Sequence, residues 1–175
     1  MVMVRKSFEL DNANMSSVHF SVKYDGPALA AHQMDVRELA PALLGLGELI
    51  EAANREIFPT GPAVAVQVKG NFKAGSFQID MTAAQTQLEQ VQDLLGGKGA
   101  TAAANLSGIL ALLGLVGGSV KGLISLTKFL KGRKPDRTEL RQDEVAYIVQ
   151  TQEAIEEFTV DLGTHQLYQS RTVRQ

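Results

Sequence analysis

A chain of 175 residues, 45% of them hydrophobic and 21% charged, is long enough to bury a hydrophobic core, and this composition argues against a disordered chain. A formal net charge of −2, with no stretch that interleaves aromatic residues with lysine and arginine, argues against nucleic acid as a partner. Because the chain has no cysteine, disulfides, thiolate nucleophiles and zinc–cysteine sites are excluded, and a reducing cytoplasm suits the composition.

The first 14 residues are expected to form a flexible leader. Arg5 and Lys6 are followed by a polar run at 11–14 instead of the apolar stretch of a secretory signal peptide. We therefore expect the protein in the cytoplasm, either free or at the inner face of the cell membrane. The patterned chain begins at Met15.

An α+β domain is predicted over residues 15–97. Apolar and polar residues alternate over 18–24, which is typical of a half-buried strand. Asp35, with Glu38 three residues later, indicates the start of a helix over 36–57, in which apolar residues recur at helical spacing.

Two further strands and a short helix complete this predicted domain. Alternation over 64–68 and 77–81 predicts an antiparallel hairpin, which with the first strand makes a small sheet of about three strands covered by the long helix. Residues 84–95 have the pattern of a short amphipathic helix. Inside the long helix, Gly45 and Gly47 indicate that another element packs close to its backbone, with a hinge as the alternative.

An uncharged, glycine-rich segment follows, between Lys98 and Lys121. It is just long enough to cross a bilayer, which needs about 20 apolar residues, but the glycines at 117–118 could equally form a turn between two shorter helices. The sequence leaves both alternatives open within an apolar helical segment at 98–134. The residues expected to enter lipid or an interface are Ile109, Leu110, Leu112, Leu113, Leu115, Val116, Leu123 and Ile124.

Three glycines in this segment, Gly114, Gly118 and Gly122, are spaced four residues apart. On one helix, this spacing places them along a single face, where a second backbone can approach closely. The pattern predicts a seam for helix packing or oligomerisation. The alternative is that these glycines mark a turn in a buried helical hairpin.

A basic cluster follows the apolar segment and consists of Lys121, Lys128, Lys131, Arg133 and Lys134. Lysine and arginine at the end of an apolar segment hold that end at the cytoplasmic face through anionic lipid. The alternative is a solvated polar face without a binding role.

The remaining residues, 135–175, are predicted to form a small appendage. Alternation over 145–149 and 158–162 indicates a β-hairpin, although 152–157 could extend a helix instead. A further helix is expected to start near Tyr168.

No pattern points to catalysis, to a cofactor or to a metal. The histidines, His19, His32 and His165, do not have metal-ligand spacing. His32 beside Asp25 or Asp35 could act as a base with an orienting carboxylate, but loop hydrogen bonding and helix capping explain these residues more simply. Nucleophile-elbow and phosphate-loop patterns are also missing. We expect a protein that is not an enzyme and that has no cofactor.

Several strings resemble an uncharacterised family of bacterial and prophage proteins, a domain of unknown function. The matching strings are YDGPAL, HQMDVRELAPALL, EAANR, GSFQID, GATAAANL and GRKP, which together span most of residues 18–135. The resemblance implies common descent and a phage or mobile-element setting, but no activity. Family members continue beyond a motif that resembles 167–174, so this chain is expected to be a shortened or trimmed relative.

The sequence thus predicts an α+β fold and a non-enzymatic protein that is membrane-associated or self-assembling through residues 99–130. The alternative is a soluble protein-interaction module in which that segment is buried as core or subunit interface. The expected partners are a second copy of the chain and either a membrane or another protein.

Overall fold

A computed structural model describes residues 6–7, 15–23, 35–69, 78–86, 100–116 and 121–174. It confirms the predicted α+β class. The elements are, in order, β1 (Lys6–Ser7), β2 (Met15–Lys23), α1 (Val36–Ile57), β3 (Val64–Lys69), β4 (Gln78–Thr86), α2 (Ala100–Leu113), α3 (Leu123–Leu130), β5 (Arg137–Arg141), β6 (Glu144–Gln150), β7 (Ile155–Asp161) and α4 (Leu162–Gln169). The chain divides into two compact units between Ile109 and Leu110, inside α2. This boundary differs from the predicted ones near 97 and 134.

The first unit contains an antiparallel sheet with the strand order β1-β2-β4-β3. The predicted alternation places apolar side chains on one face, because successive residues of a strand point to opposite sides. The register sets Val18 opposite Ala83 and Phe20 opposite Met81, and all four side chains are buried. The predicted hairpin is confirmed by the pairing of β3 with β4.

Two predictions about this unit are wrong, one for an edge strand of the sheet and one for the end of an inner strand. Lys6 and Ser7, inside the expected flexible leader, pair with β2 as strand β1. Residues 84–86, expected to open a short helix, continue β4 to Thr86. The rest of that helix, at 87–95, and the rest of the leader lie outside the described residues.

Helix α1 has the predicted bounds and the predicted N-cap. The Asp35 carboxylate accepts a hydrogen bond from the backbone amide of Arg37 at 2.8 Å, one residue earlier than the Glu38 amide that a capping box would use. Pro41 lies inside the helix without ending it. The helix packs along β3, the edge strand, and its buried residues are Ile50, Ala52, Ala53 and Asn54.

The two glycines within α1 differ from each other. A Cβ atom on Gly47 would lie 3.9 Å from the Cβ of Val66, so β3 does pack near that part of the backbone. At Gly45 no described atom lies within 4 Å. The prediction of close packing therefore holds at Gly47 and is wrong at Gly45, as far as the described residues extend.

The second unit contains an antiparallel sheet with the order β5-β6-β7. Its central strand is buried on both faces over residues 145–149. One face of this sheet packs with α3 to form a core. The buried residues of this core are Leu126, Leu130, Val145, Tyr147, Val149 and Val160. The predicted hairpin is confirmed, because residues 155–161 form a strand paired with β6. The prediction that a helix starts near Tyr168 is wrong, since α4 begins at Leu162 and ends at Gln169.

The apolar segment forms two helices, α2 and α3. The sequence leaves open whether it forms one long helix or two shorter ones. Helix α2 has 14 residues, or about 21 Å at 1.5 Å per residue, whereas a bilayer core is about 30 Å thick. Across the described ranges, no helix combines the length and the hydropathy that crossing a membrane requires. The glycines at 117–118 lie outside those ranges.

Candidate functional site

Gly114 ends helix α2. Its φ of 81° is in the left-handed region that glycine adopts without a steric penalty. The Leu115 amide donates to the Leu110 carbonyl at 2.8 Å, and the Gly114 amide donates to the Ala111 carbonyl at 2.9 Å. These two bonds form a Schellman motif, in which a glycine after the helix satisfies carbonyls of its last turn.

Gly122 is the N-cap of α3 and lies directly against Gly114. A Cβ atom on Gly122 would overlap the backbone nitrogen and Cα of Gly114. The prediction that the glycines share one helix face is therefore wrong for these two, which flank different helices. Gly118 lies outside the described residues. The close backbone approach exists, but it occurs within the chain.

The start of α4 packs on the end of α2 beside this glycine contact. The Thr164 hydroxyl donates to the Leu112 carbonyl at 3.2 Å, which satisfies one of the carbonyls that a helix leaves free in its last turn. A Cβ atom on Gly163 would lie 2.9 Å from Cδ2 of Leu112. We call the contact between Gly114 and Gly122, together with the contacts of Gly163 and Thr164 with Leu112, the glycine junction.

Most of the apolar residues predicted to enter lipid or an interface are buried within this chain. The buried ones are Ile109, Leu110, Leu113, Leu115, Val116 and Leu123. Leu112 and Ile124 remain partly exposed. The apolar side chains of this segment thus contribute mainly to the interior of the protein.

The basic cluster is divided between the fold and the solvent. Lys121 pairs with Glu144 at 3.1 Å, and Arg133 pairs with Glu156 at 3.4 Å. Arg133 also donates from Nε to the Leu130 carbonyl at 3.2 Å, where a cation is favourable at a helix C-terminus. The members that are exposed and in none of these ion pairs are Lys128, Lys131 and Lys134.

Tyr147 is at the centre of an aromatic cluster that the sequence did not predict. Its side chain is fully buried, and its hydroxyl lies 2.7 Å from Nδ1 of His165. The Tyr147 and Tyr168 rings are nearly perpendicular, with a centroid distance of 5.3 Å, and the Arg174 guanidinium lies 5.5 Å from the Tyr168 centroid. The alternation at 145–149 predicted a strand there, but no local pattern indicates a partner 18 residues away on a helix.

Burial, with a smaller contribution from the neighbouring Tyr168, raises the pKa of Tyr147 to about 12, although a hydrogen bond from Gln169 and the charge of Arg174 act in the opposite direction. The phenol therefore stays protonated at neutral pH. It acts as a hydrogen-bonding group that ties α4 to β6, and it is a poor base.

A network of ion pairs covers the opposite face of the β5-β6-β7 sheet. The Arg141 guanidinium binds the Glu157 carboxylate through two contacts of 2.6 and 2.9 Å, and Glu139 at 2.8 Å. Arg137 binds Glu139 at 2.9 Å. The Arg141 guanidinium lowers the pKa of Glu157, and the Glu157 hydrogen bond raises that of Arg141. The register places Glu139 and Glu157 beside Ala146 and Ile148, which are both buried.

The outer face of α1, as we define it, comprises Arg37, Ala40, Pro41, Leu44, Glu48 and Glu51, each of which lies within about 60° of Leu44 around the helix axis at 100° per residue. All six are exposed, and Leu44 is 67% exposed. No residue between Val36 and Leu49 is buried. Leu39, Leu43, Leu46 and Leu49 are half-buried. The first half of α1 is thus packed less closely than the second half, where the fully buried residues lie.

The candidate base His32 and Asp25 lie outside the described residues, and Asp35 caps α1. His19 Nδ1 lies 2.7 Å from the Thr82 hydroxyl. Within the described ranges, no group of three or more histidine, cysteine, aspartate or glutamate residues is placed to hold a metal ion.

Comparison of the chain with known proteins found no matching family model, curated protein or solved structure. The resemblance to a prophage family therefore stays a prediction.

Proposed function

We propose that the protein is a non-enzymatic, cytoplasmic protein-interaction module that docks a protein partner on the outer face of α1. In this proposal α2 and α3 are its own core. One observation carries it. Helix α1 has 22 residues, yet its buried residues all lie between Ile50 and Asn54.

Helix energetics support a partner at the first half of α1. In water, an isolated helix shorter than about 12–15 residues is marginally stable, and helices in proteins depend on packing of one face. The first half also contains Pro41 and Gly45, and a glycine costs about 1 kcal/mol relative to alanine in a helix interior. A protein docked on the outer face would add packing on the side of this half that is now exposed.

The charges of this surface favour a protein over a lipid surface. Helices that lie on anionic membranes carry lysine and arginine on their polar face. The outer face of α1 has one cation, Arg37, and two anions, Glu48 and Glu51. The exposed Arg55 lies about 20° from Leu44 around the same helix, so that two cations and two anions balance. This side of α1 therefore lacks the excess of cations that anionic lipid selects, while a mixture of exposed Leu44 and charged residues suits the rim and centre of a protein interface.

Site-specific photo-crosslinking in cells tests this proposal. A photoreactive amino acid replaces Leu44, and in a matched control it replaces Gln152, which is exposed on the β6–β7 turn. We expect discrete protein adducts from position 44 and none from position 152. Adducts at both positions alike, or no protein adduct from position 44, would contradict the proposal.

A further inference from the structure

We infer that the partner on the outer face of α1 is a second copy of this chain, bound as an antiparallel pair of α1 helices with a two-fold axis at Leu44. This inference rests on the proposed function, because it names the partner for the same surface. The argument comes from the order of exposed residues along α1.

Arg37, Leu44 and Glu51 lie on one line along the helix. Each is seven residues, or about two turns, from the next, so that neighbours in this line differ by only about 20° around the axis. All three are exposed. Leu44 is thus an exposed apolar centre with a cation two turns before it and an anion two turns after it.

A two-fold axis at Leu44 converts this order into complementary contacts. In an antiparallel pair, a residue before Leu44 faces the residue at the same distance after Leu44 in the other copy. Arg37 then faces Glu51, Leu44 faces its own counterpart, and the Arg37–Glu51 pair occurs twice by symmetry. A closed dimer requires such a self-complementary patch.

Other arrangements fit this surface less well. A parallel pair in register sets Glu51 against Glu51 and Arg37 against Arg37, and like charges at an interface are repulsive. Antiparallel helices also oppose their dipoles favourably. Small residues allow the backbones to approach, since Ala40 lies on the same face and Gly45 beside it has no described atom within 4 Å of an added Cβ.

One pair of helices buries less surface than the roughly 1,200–2,000 Å² of a standard stable interface. We therefore expect a dimer whose population depends on concentration across the micromolar range.

Sedimentation velocity on the purified full chain tests the inference. The wild-type protein should change from 18.9 kDa towards twice that mass as concentration rises. Leu44→Glu should weaken dimerisation at least tenfold, because it places two carboxylates on the axis. The control, Ala42→Glu, adds the same charge at an exposed position of α1 about 160° away, and should leave the dimer unchanged.

A charge exchange tests the geometry itself. Arg37→Glu and Glu51→Arg should each weaken dimerisation severalfold, and the double variant should restore it because the facing charges are again opposite. Circular dichroism should show that all variants are folded. Failure of the double variant to recover, or a dimer that Leu44→Glu leaves intact, overturns the antiparallel pair.

The two proposals fail in different ways. The wild-type protein could stay monomeric while position 44 forms crosslinks to a different protein. That result overturns the proposal of a second copy as partner and leaves the proposed docking surface in place. The absence of any protein adduct from position 44 overturns the docking surface itself.

Discussion

The backbone of Gly122 packs directly on that of Gly114, so that a Cβ atom on Gly122 would overlap the Gly114 nitrogen. The atoms in the way are backbone atoms at the end of α2, which cannot rotate aside as a flexible side chain can. This contact joins the end of α2 to the start of α3, and it gives the glycine spacing of the sequence a role within the chain.

Gly122→Ala should destabilise the protein by about 1–3 kcal/mol, the usual cost of forcing an extra carbon into a packed site. The matched control is Gly108→Ala in α2, where no described atom lies within 4 Å of the added Cβ. There the change should stabilise the helix by up to about 1 kcal/mol. Urea denaturation measures both. Equal effects of the two substitutions would refute the glycine junction.

Tyr147 should make stability depend on alkaline pH. Its pKa is about 12 in the folded protein and about 10 in an unfolded chain. Between these values the unfolded state binds fewer protons than the folded state. The contribution of Tyr147 to the free energy of unfolding is therefore fully present below pH 10 and decreases as pH rises towards 12, by roughly 2–3 kcal/mol in all.

Tyr147→Phe should lack this alkaline loss. At neutral pH the variant should be about 1 kcal/mol less stable, because the hydrogen bond to His165 is gone. Denaturation curves recorded between about pH 7 and pH 12 should therefore converge or cross. If the curves stayed parallel, Tyr147 would not be the buried phenol described above.

Glu157 should contribute to stability in an acid-sensitive way. The Arg141 guanidinium lowers its pKa, so the stabilisation is present above the ordinary carboxyl pKa of about 4.3 and is lost as pH falls through the lower folded value. Glu157→Gln should flatten the decrease in melting temperature below about pH 4. The control is Glu153→Gln, an exposed glutamate outside the network, which should follow the wild type. Identical acid profiles for all three proteins would argue against the Arg141–Glu157 pair.

Leu126 should be essential for the core of the second unit. It is fully buried among Leu130, Tyr147 and Val160, and Leu126→Ala should cost about 2–5 kcal/mol through lost burial and the cavity left behind. Leu140 is 71% exposed, so Leu140→Ala should change stability by no more than about 0.5 kcal/mol. Thermal or urea denaturation compares them, and a small effect at Leu126 would place the core elsewhere.

Elements with a long regular pattern could be predicted from the sequence. Helix α1 has exactly the expected bounds, because an N-cap residue at Asp35 and a sustained apolar period are local signals. The pairing of β3 with β4 and of β6 with β7 follows from alternation in neighbouring segments.

Features that depend on distant contacts could not be predicted. Gly114 and Gly122 fit one helix face equally well until the left-handed φ of Gly114 ends α2 between them. The apolar pattern of α2 and α3 is the same for lipid and for a protein interior, because both environments select the same side chains. The Tyr147–His165 contact depends on the turn that leads into α4. No sequence pattern links these two residues, so their contact could not be predicted.

Hydrogen–deuterium exchange of α2 and α3 tests the central claim most directly, that these helices are the protein's own core and not a lipid anchor. The measurement compares the full chain in detergent-free buffer with the same chain mixed with vesicles containing anionic lipid. The account predicts slow exchange of the α2 and α3 amides in buffer and no change with vesicles. Fast exchange in buffer that becomes slow only with vesicles would contradict it.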